Sequence, residues 1–242
     1  ELQVIGGQIL SYIDGVALIK ATTEKVNVTD LYSLSLLVKD RLGRLLDDFV
    51  LYINSSKYVT QEGVVEDFLE VAAYELLFPD QKGFKFYAFS DGYNQSSRII
   101  ELIQTQSFVA EYRIPTTVKS FEARKLSPSL SLIDFLSFLT GSMERVVVDV
   151  DGVLVDYYGI GVPNRKVTLY VTNVDYNYTV TYNLTTDVSG YFKKALELLP
   201  DVTYRLELVF EGDDTYVETA TTQEITPEKL PVELPAVVGV PL

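Results

Sequence analysis

The stretches G161-V-P-N-R-K-V-T-L-Y170, T186-D-V-S-G-Y-F192 and Y204-R-L-E-L-V-F-E-G-D-D-T-Y216 decide the fold of this chain. Apolar and polar residues alternate along them, as in Val167, Leu169 and Val171, which share one parity. Successive side chains of a strand point to opposite faces, so this alternation predicts strands with one buried face. Gly, Pro, Asn and Asp separate the runs and predict tight turns.

The C-terminal hundred residues therefore divide into short strands joined by turn signals such as D151-G152, D187-V-S-G190 and E211-G-D-D214. Seven short strands with a turn every 8 to 15 residues are typical of an immunoglobulin-like sandwich. The predicted strands are Arg145–Val150, Val153–Tyr158, Lys166–Thr172, Tyr178–Leu184, Tyr191–Leu198, Tyr204–Phe210 and Tyr216–Ile225.

About 80 residues of this region resemble the bacterial Ig-like and carboxypeptidase-regulatory-like modules. The resemblance is carried by the G-V-P entry at Gly161, the T-D-V-S-G-Y-F hairpin at Thr186 and the Y-R-L strand at Tyr204. It implies the fold and is almost silent on function.

The first half repeats this order of elements. S33-L-S-L-L-V-K-D40 is followed by the Gly turn R41-L-G-R44, the strand F49-V-L-Y-I-N54, the hairpin T60-Q-E-G63 and the strand Y74-E-L-L-F78. We therefore expect an all-β protein of two tandem, related sandwiches. The expected boundaries are an N-terminal extended strand over 1–25, a first sandwich over 26–142 and a second over 143–242 with a Pro-rich tail. Ser129–Gly141, with a Ser N-cap and a terminal Gly, predicts a short helix or linker strand.

The N-terminus is apolar on both parities, which predicts a strand buried on both faces. We expect residues from about 2 to 20 to act as a donor strand that pairs with a neighbouring subunit. The residues expected to be buried there are Val4, Ile5, Ile9, Leu10, Tyr12, Ile13, Val16 and Leu18. The C-terminal segment L230–L242 is a rival donor, but Pro231, Pro235 and Pro241 confine it to an edge or an extended path.

Five of the seven asparagines lie in the N-x-[ST] acceptor pattern for N-linked sugars; only Asn164 and Asn173 lie outside it. This pattern predicts an extracellular, glycosylated protein whose leader has been removed. The expected glycosylation sites are Asn27, Asn54, Asn94, Asn177 and Asn183.

The composition argues against further classes of function and indicates the environment of the protein. The chain of 242 residues has no Cys and no His, and its net charge is −14, which argues against nucleic acid as a partner. We expect no membrane span, because no apolar run approaches 20 residues. The 20 Lys and Arg residues limit self-repulsion in acid, a pattern that fits the surface of an acidophile, although ordinary acidic solubility fits equally well. Few oxidisable side chains suit a hot habitat.

The absence of His and Cys removes most of the nucleophile–base pairs that enzymes use in catalysis. We expect no enzyme, no cofactor and no metal site. Asp149, Asp151 and Asp156 only partly match a calcium loop, and a hairpin turn explains D151-G152 better. An isopeptide bond from Lys166 is conceivable, but nothing marks it out.

Together these features predict a structural subunit of a glycosylated extracellular filament. A strand passed from subunit to subunit gives head-to-tail contacts that do not close, with the chain itself as partner and other cells or surfaces as adhesion targets. The pattern resembles the surface threads of thermoacidophilic archaea. Two alternatives are a monomeric secreted adhesin or S-layer-associated protein, and an accessory module of a carbohydrate-active enzyme.

Overall fold

The structure is a computed structural model that describes residues 8–13, 16–20, 31–125 and 145–228. All regular elements within these ranges are β-strands, and none of the described residues forms a helix long and apolar enough to cross a membrane. The chain divides into two compact units, Glu1–Arg113 and Ile114–Leu242, called here the first and second unit. The helix predicted over Ser129–Gly141 lies outside the described ranges.

The first unit contains ten strands in a hairpin and two four-stranded sheets, with orders β6-β3-β10-β8 and β5-β4-β7-β9. Its pairings are antiparallel except that of β10 with β3, which is parallel. The strands are β1 (Gln8–Ile13), β2 (Val16–Lys20), β3 (Leu31–Asp40), β4 (Val50–Ile53), β5 (Ser56–Val59), β6 (Val64–Glu70), β7 (Ala72–Leu77), β8 (Lys85–Phe89), β9 (Ser97–Leu102) and β10 (Gln106–Arg113).

The second unit contains seven strands in sheets of order β11-β12-β15 and β14-β13-β16-β17, all antiparallel. It begins at Ile114 and not at 143, because β11 pairs along its length with β12. The strands are β11 (Thr116–Lys125), β12 (Val146–Asp156), β13 (Lys166–Asn173), β14 (Tyr178–Thr185), β15 (Tyr191–Leu198), β16 (Tyr204–Phe210) and β17 (Thr219–Ile225).

One predicted turn is wrong. D151-G152 does not separate two strands, since β12 runs through it and pairs Asp151 with Lys193 and Gly152 with Phe192. A side chain at position 152 would come within 2.6 Å of the Phe192 ring. The glycine is therefore needed for the close approach of an aromatic ring and not for a hairpin. The last predicted strand is also shorter, because Tyr216 forms only an isolated bridge with Ile114 before β17 begins.

The predicted alternation is confirmed. Val167 and Leu169 of β13 and Leu206 and Leu208 of β16 are fully buried, while residues between them are partly or fully exposed. Burying such a side chain contributes roughly 1.5–3 kcal/mol, so the inward faces of the two sheets supply most of the stability. In the first unit, Leu34, Leu36 and Leu51 have the same role.

Both units use the same buried carboxylate where the chain leaves β3 in the first unit and β12 in the second. The Oδ1 of Asp40 accepts hydrogen bonds from the backbone N–H groups of Leu42 (2.8 Å) and Arg44 (2.9 Å). The Oδ1 of Asp156 accepts them from Tyr158 and Ile160, both at 2.9 Å. Both aspartates are buried, and each carboxylate gives two amides of a partly exposed turn a protein acceptor.

A buried threonine repeats in the same way. The hydroxyl of Thr60 donates to the carbonyl of Leu46 (2.7 Å) and accepts from the N–H of Phe49 (2.9 Å). The hydroxyl of Thr186 donates to Val162 (2.7 Å) and accepts from Arg165 (2.9 Å). Together with the aspartates, these bonds show that the two units are built on one plan, as the repeated sequence order predicts.

The two copies differ at three places. The sheet that contains β3 has a fourth strand, β8, which the sheet that contains β12 lacks. The strand beside β3 is the parallel β10, whereas the strand beside β12 is the antiparallel β11. The β4–β5 hairpin has four residues in each strand, whereas the β13–β14 hairpin has eight. Because of these differences, the two units share one plan but present different surfaces.

We predict that Thr60→Val and Thr186→Val each lower the free energy of unfolding of one unit by about 1–3 kcal/mol, because the isosteric valine leaves a buried N–H and a buried carbonyl unpaired. Denaturant unfolding followed by hydrogen exchange of each unit measures this. The same loss in both units from either substitution would contradict the independence of the two units.

Candidate assembly surface

The outer face of the β5-β4-β7-β9 sheet is unusually apolar. Alternation directs Leu51, Ile53 and Leu76 into the core and their neighbours outward. Val59 is 45% exposed, Leu77 36% and Ile99 75%, and Val50 and Tyr52 are partly exposed. We call the five residues Val50, Tyr52, Val59, Leu77 and Ile99 the apolar face.

The register places these side chains side by side across the four strands. Val50 pairs with Val59, Tyr52 pairs with Leu77, and Ile99 pairs with Glu75. Tyr52 and Leu77 line a cleft of about 260 Å³ together with Ser55 and Glu75. The carboxylate of Glu75 accepts a hydrogen bond from the Ser97 hydroxyl at 3.0 Å.

The second unit shows that the fold does not require this character. When strands are matched by their pairing, the positions of the apolar face correspond to four polar residues and one valine. Lys57 of β5 corresponds to the sequon residue Asn183 of β14. The matching residues are Lys166, Thr168, Thr185, Val209 and Thr222. The first unit therefore presents apolar side chains where the second presents a lysine, three threonines and a valine.

A hydrogen bond joins the two sheets next to this face. Tyr58 of β5 donates to the Oδ2 of Asp67 of β6 at 2.7 Å. This bond, followed by burial and by the charge of Asp67, raises the pKa of Tyr58 to about 12.

The opposite sheet carries an ion-pair cluster in which Lys39 (3.1 Å) and Arg41 (2.5 Å) contact Glu111. Burial opposes ionisation of Glu111, but hydrogen bonds from Lys39 and Arg41 outweigh it and lower its pKa.

Four of the five sequon asparagines lie in the described ranges, and all four are exposed. Asn54 and Asn177 are in turns with positive φ, Asn94 lies in the loop before β9, and Asn183 lies on β14. Asn173, which is outside the acceptor pattern, is buried. Asn27 falls outside the described ranges, and glycosylation remains a prediction.

The predicted donor segment has a different form from the one expected. Instead of one continuous strand, β1 and β2 pair antiparallel, with Ile13 opposite Val16. The two residues between the strands are Asp14 and Gly15, a dipeptide that favours a tight hairpin turn. Ile9, Leu10, Tyr12 and Ile13 belong to β1, and Val16 and Leu18 belong to β2. Val4 and Ile5 fall outside the described ranges.

The candidate calcium ligands are occupied by protein groups. Asp149 forms an ion pair with Lys193 (2.5 Å), Asp151 lies 4.0 Å from Arg124, and Asp156 binds turn amides. Within the described ranges no three His, Cys, Asp or Glu residues form a group that could hold a metal ion. In the E211-G-D-D214 loop, Asp213 pairs with Arg165 at 2.6 Å. Lys166 is exposed and lies opposite Thr185.

Sequence reasoning missed the apolar face. Val59, Leu77 and Ile99 are far apart in sequence, and only the pairing of four strands brings them together. The short β4–β5 hairpin was visible in the sequence, as the interval from Asp40 to Thr60 is shorter than that from Asp156 to Thr186.

No family model and no curated protein matches the chain. Among solved structures it is similar to the major pilin subunit of Bacillus cereus, with a TM-score of 0.38, 8% identity, and 82% of this chain and 70% of that chain covered. It is similar to a DUF3823 family protein from Bacteroides ovatus, with a TM-score of 0.31, 8% identity and coverage of 81% and 98%. It is also similar to the Streptococcal ancillary pilin, with a TM-score of 0.30, 11% identity, and 95% of this chain and 72% of that chain covered. All three TM-scores are below 0.5.

We predict that Tyr58 contributes stability that is complete below pH 10 and is lost as the pH rises from 10 to about 12, because its pKa is about 12 in the folded chain and about 10 when unfolded. Tyr58→Phe should therefore flatten the fall of unfolding free energy over this range, measured by urea titration. Asp67→Asn should move the ionisation of Tyr58 back toward 10 in an absorbance titration. An unchanged slope in Tyr58→Phe would contradict the prediction.

We also predict that Ser56→Ala, Ser96→Ala, Thr179→Ala and Thr185→Ala each remove one glycan from the secreted protein. Each removes the hydroxyl residue of one sequon and leaves its exposed asparagine in place. Glycopeptide mapping measures site occupancy, and Asn164 and Asn173 serve as unmodified controls. Unmodified asparagine at all four sites would overturn the prediction of sugar on the described surface.

Proposed function

We propose that this chain is the structural subunit of an extracellular filament in which the N-terminal hairpin of one copy adds to a sheet of the next. The observation that carries the proposal is the β1–β2 hairpin. Within the described ranges, these two strands pair with each other and belong to neither sandwich. An isolated two-stranded hairpin is marginally stable in water, so this one needs a partner.

The composition of the hairpin supports the same conclusion. Ile9, Ile13, Val16 and Leu18 leave it with few polar positions on either parity. Strand addition satisfies the backbone groups of an edge and buries such side chains in one step. Because the donor and the acceptor are different surfaces of one chain, the contact repeats without closing and generates a fibre.

The described part of the first unit has a buried core to which the hairpin strands do not contribute a sheet strand. Leu34, Leu102 and Ala110 in the first unit are fully buried, and the edge of β3 is already covered by β10. The donor therefore adds to an exposed sheet edge or face and does not fill a missing core strand. The sheet that carries the apolar face is the one in the first unit whose side chains suit such a contact.

The cell surface is the proposed location. Four exposed sequon asparagines, Asn54 and Asn94 on the first unit and Asn177 and Asn183 on the second, support N-linked glycosylation at the cell surface. With 20 Lys and Arg and no His, the chain would carry modest positive charge in acid, which suits a thread-like filament of an acidophile.

We predict that the purified full-length protein forms fibres in negative-stain electron microscopy and that a variant lacking residues 1–20 stays a folded monomer, because it has lost its donor. The matched control lacks residues 230–242, the rival donor, and should still polymerise. Circular dichroism should show unchanged β content in the first variant.

Two results would contradict the proposal. Fibres that persist without residues 1–20 but disappear without 230–242 would make the C-terminus the donor. A full-length protein that stays monomeric, and that only loses thermal stability on deletion of 1–20, would favour the secreted adhesin.

A further inference from the structure

The two copies of the sandwich differ by ten residues in one hairpin. Tyr170 pairs with Thr181 in the second unit, and residues 171–180 continue the hairpin beyond that pair. In the first unit the corresponding residues, Asn54 and Ser55, are adjacent and close the turn with φ values of 47° and 68°. Positive φ at two successive residues is the geometry of a two-residue hairpin turn, so the hairpin ends here.

The shortened hairpin leaves part of β7 without a neighbour. In the second unit β13 pairs with β16 over six residues, from Val209 down to Tyr204. In the first unit β4 pairs with β7 only at Leu77 and Leu76. Asn54 extends this contact by one position, since its N–H donates to the carbonyl of Glu75 (2.9 Å) and its Oδ1 accepts from the N–H of Glu75 (2.8 Å).

Beyond Glu75, no strand among the described residues lies on the β4 side of β7. The N–H and C=O groups of alternate residues in a strand point to the same side, so those of Ala73 point in the same direction as those of Glu75. Ala73 therefore presents a free donor and a free acceptor at an open edge. We call the space beside Val71–Tyr74, where the longer hairpin would lie, the notch.

The side chains around the notch suit a strand. Ala72 and Ala73 are exposed and small, and Val71 (53% exposed) and Ile103 (62%) add apolar surface at the same end. Natural sheet edges often carry charges that prevent pairing. Glu70 and Glu75 lie only at the two ends of this segment, so Val71–Tyr74 itself suits strand addition.

We infer that the notch is the acceptor site and that its occupant is the β1–β2 hairpin of a second copy of this chain. The inference rests on the proposed function and adds the location of the contact. The size of the hairpin fits the notch. Its two strands have six and five residues, and the part of the second unit's hairpin that the first unit lacks has ten residues. In its own chain the hairpin belongs to a separate two-stranded sheet, and this favours a partner copy as its source.

The length of the linker permits both an open chain and a closed pair. β3 begins at Leu31, which pairs with Glu70, so the chain enters the sandwich at the same end as the notch. The ten residues 21–30 span at most about 33–36 Å when extended, enough to reach a neighbour in either arrangement. Reciprocal exchange would give a closed dimer, and onward donation gives a filament.

Cysteine cross-linking tests the contact directly, since the chain has no native cysteine. Ser11→Cys in the donor hairpin and Ala73→Cys in the notch are made as separate full-length proteins, mixed and oxidised. A disulfide between the two requires Cα atoms within about 7 Å, so a mixed dimer on a non-reducing gel supports the notch. The matched control is Arg205→Cys, at the corresponding position of β16 whose edge is covered by β13, and it should give no cross-link.

The chain carrying both Ser11→Cys and Ala73→Cys separates the remaining outcomes. A ladder of covalent multimers supports both the notch and the filament. Dimers alone support the notch but overturn the filament. A disulfide within one chain, or no disulfide in the mixture, overturns the notch as an acceptor for a second copy.

A backbone substitution gives an independent test. Ala73→Pro removes the free N–H without removing a hydrogen bond to β9, and should raise the concentration needed for assembly by about tenfold or more. Ala73→Ser keeps the N–H and should assemble normally. Thermal unfolding of both variants checks that the sandwich is intact, and equal assembly of the two would contradict the role of this edge.

Discussion

The crossing from one sheet to the other is the constraint on which both sandwiches depend. At that point the chain leaves a strand through a turn whose backbone amides no longer have partners in the sheet. Asp40 and Thr60 in the first unit, and Asp156 and Thr186 in the second, supply the missing partners from side chains. A buried polar group costs free energy unless it is paired, so these four residues fix where the strands begin and end.

Because the two units share one plan, each unit can be compared with the other. Both copies meet the same demands of packing and turn chemistry, so a difference between them reflects something other than the fold. Lys166, Thr168 and Thr222 show that the outer face can be polar. The apolar character of Val50, Tyr52 and Ile99 is therefore a property of the first unit alone, and strand pairing has not forced it.

Most of the strands could be predicted from alternation and turn residues, because both signals are local. Val167 and Leu169 point inward as their parity requires. The continuous β12 could not be predicted, since Gly152 is explained only by the ring of Phe192 on another strand. The parallel direction of β10 could not be predicted either, because the parity of the side chains does not reveal the direction of a strand. Of the candidate site, the donor residues were predicted, but the hairpin form and the apolar face depend on contacts between distant segments.

The parallel pairing of β10 with β3 also sets an order of events. Leu34 lies opposite Gln106, so this sheet cannot close until nearly all of the first unit has been made and brought together. Contacts of such long sequence separation form slowly, because the loop must be ordered before the pairing stabilises it. The edge of β3 thus stays open during synthesis, while the N-terminal hairpin, whose contacts are local, can form first. The segment that we propose joins the copies would therefore fold before the sandwich that follows it.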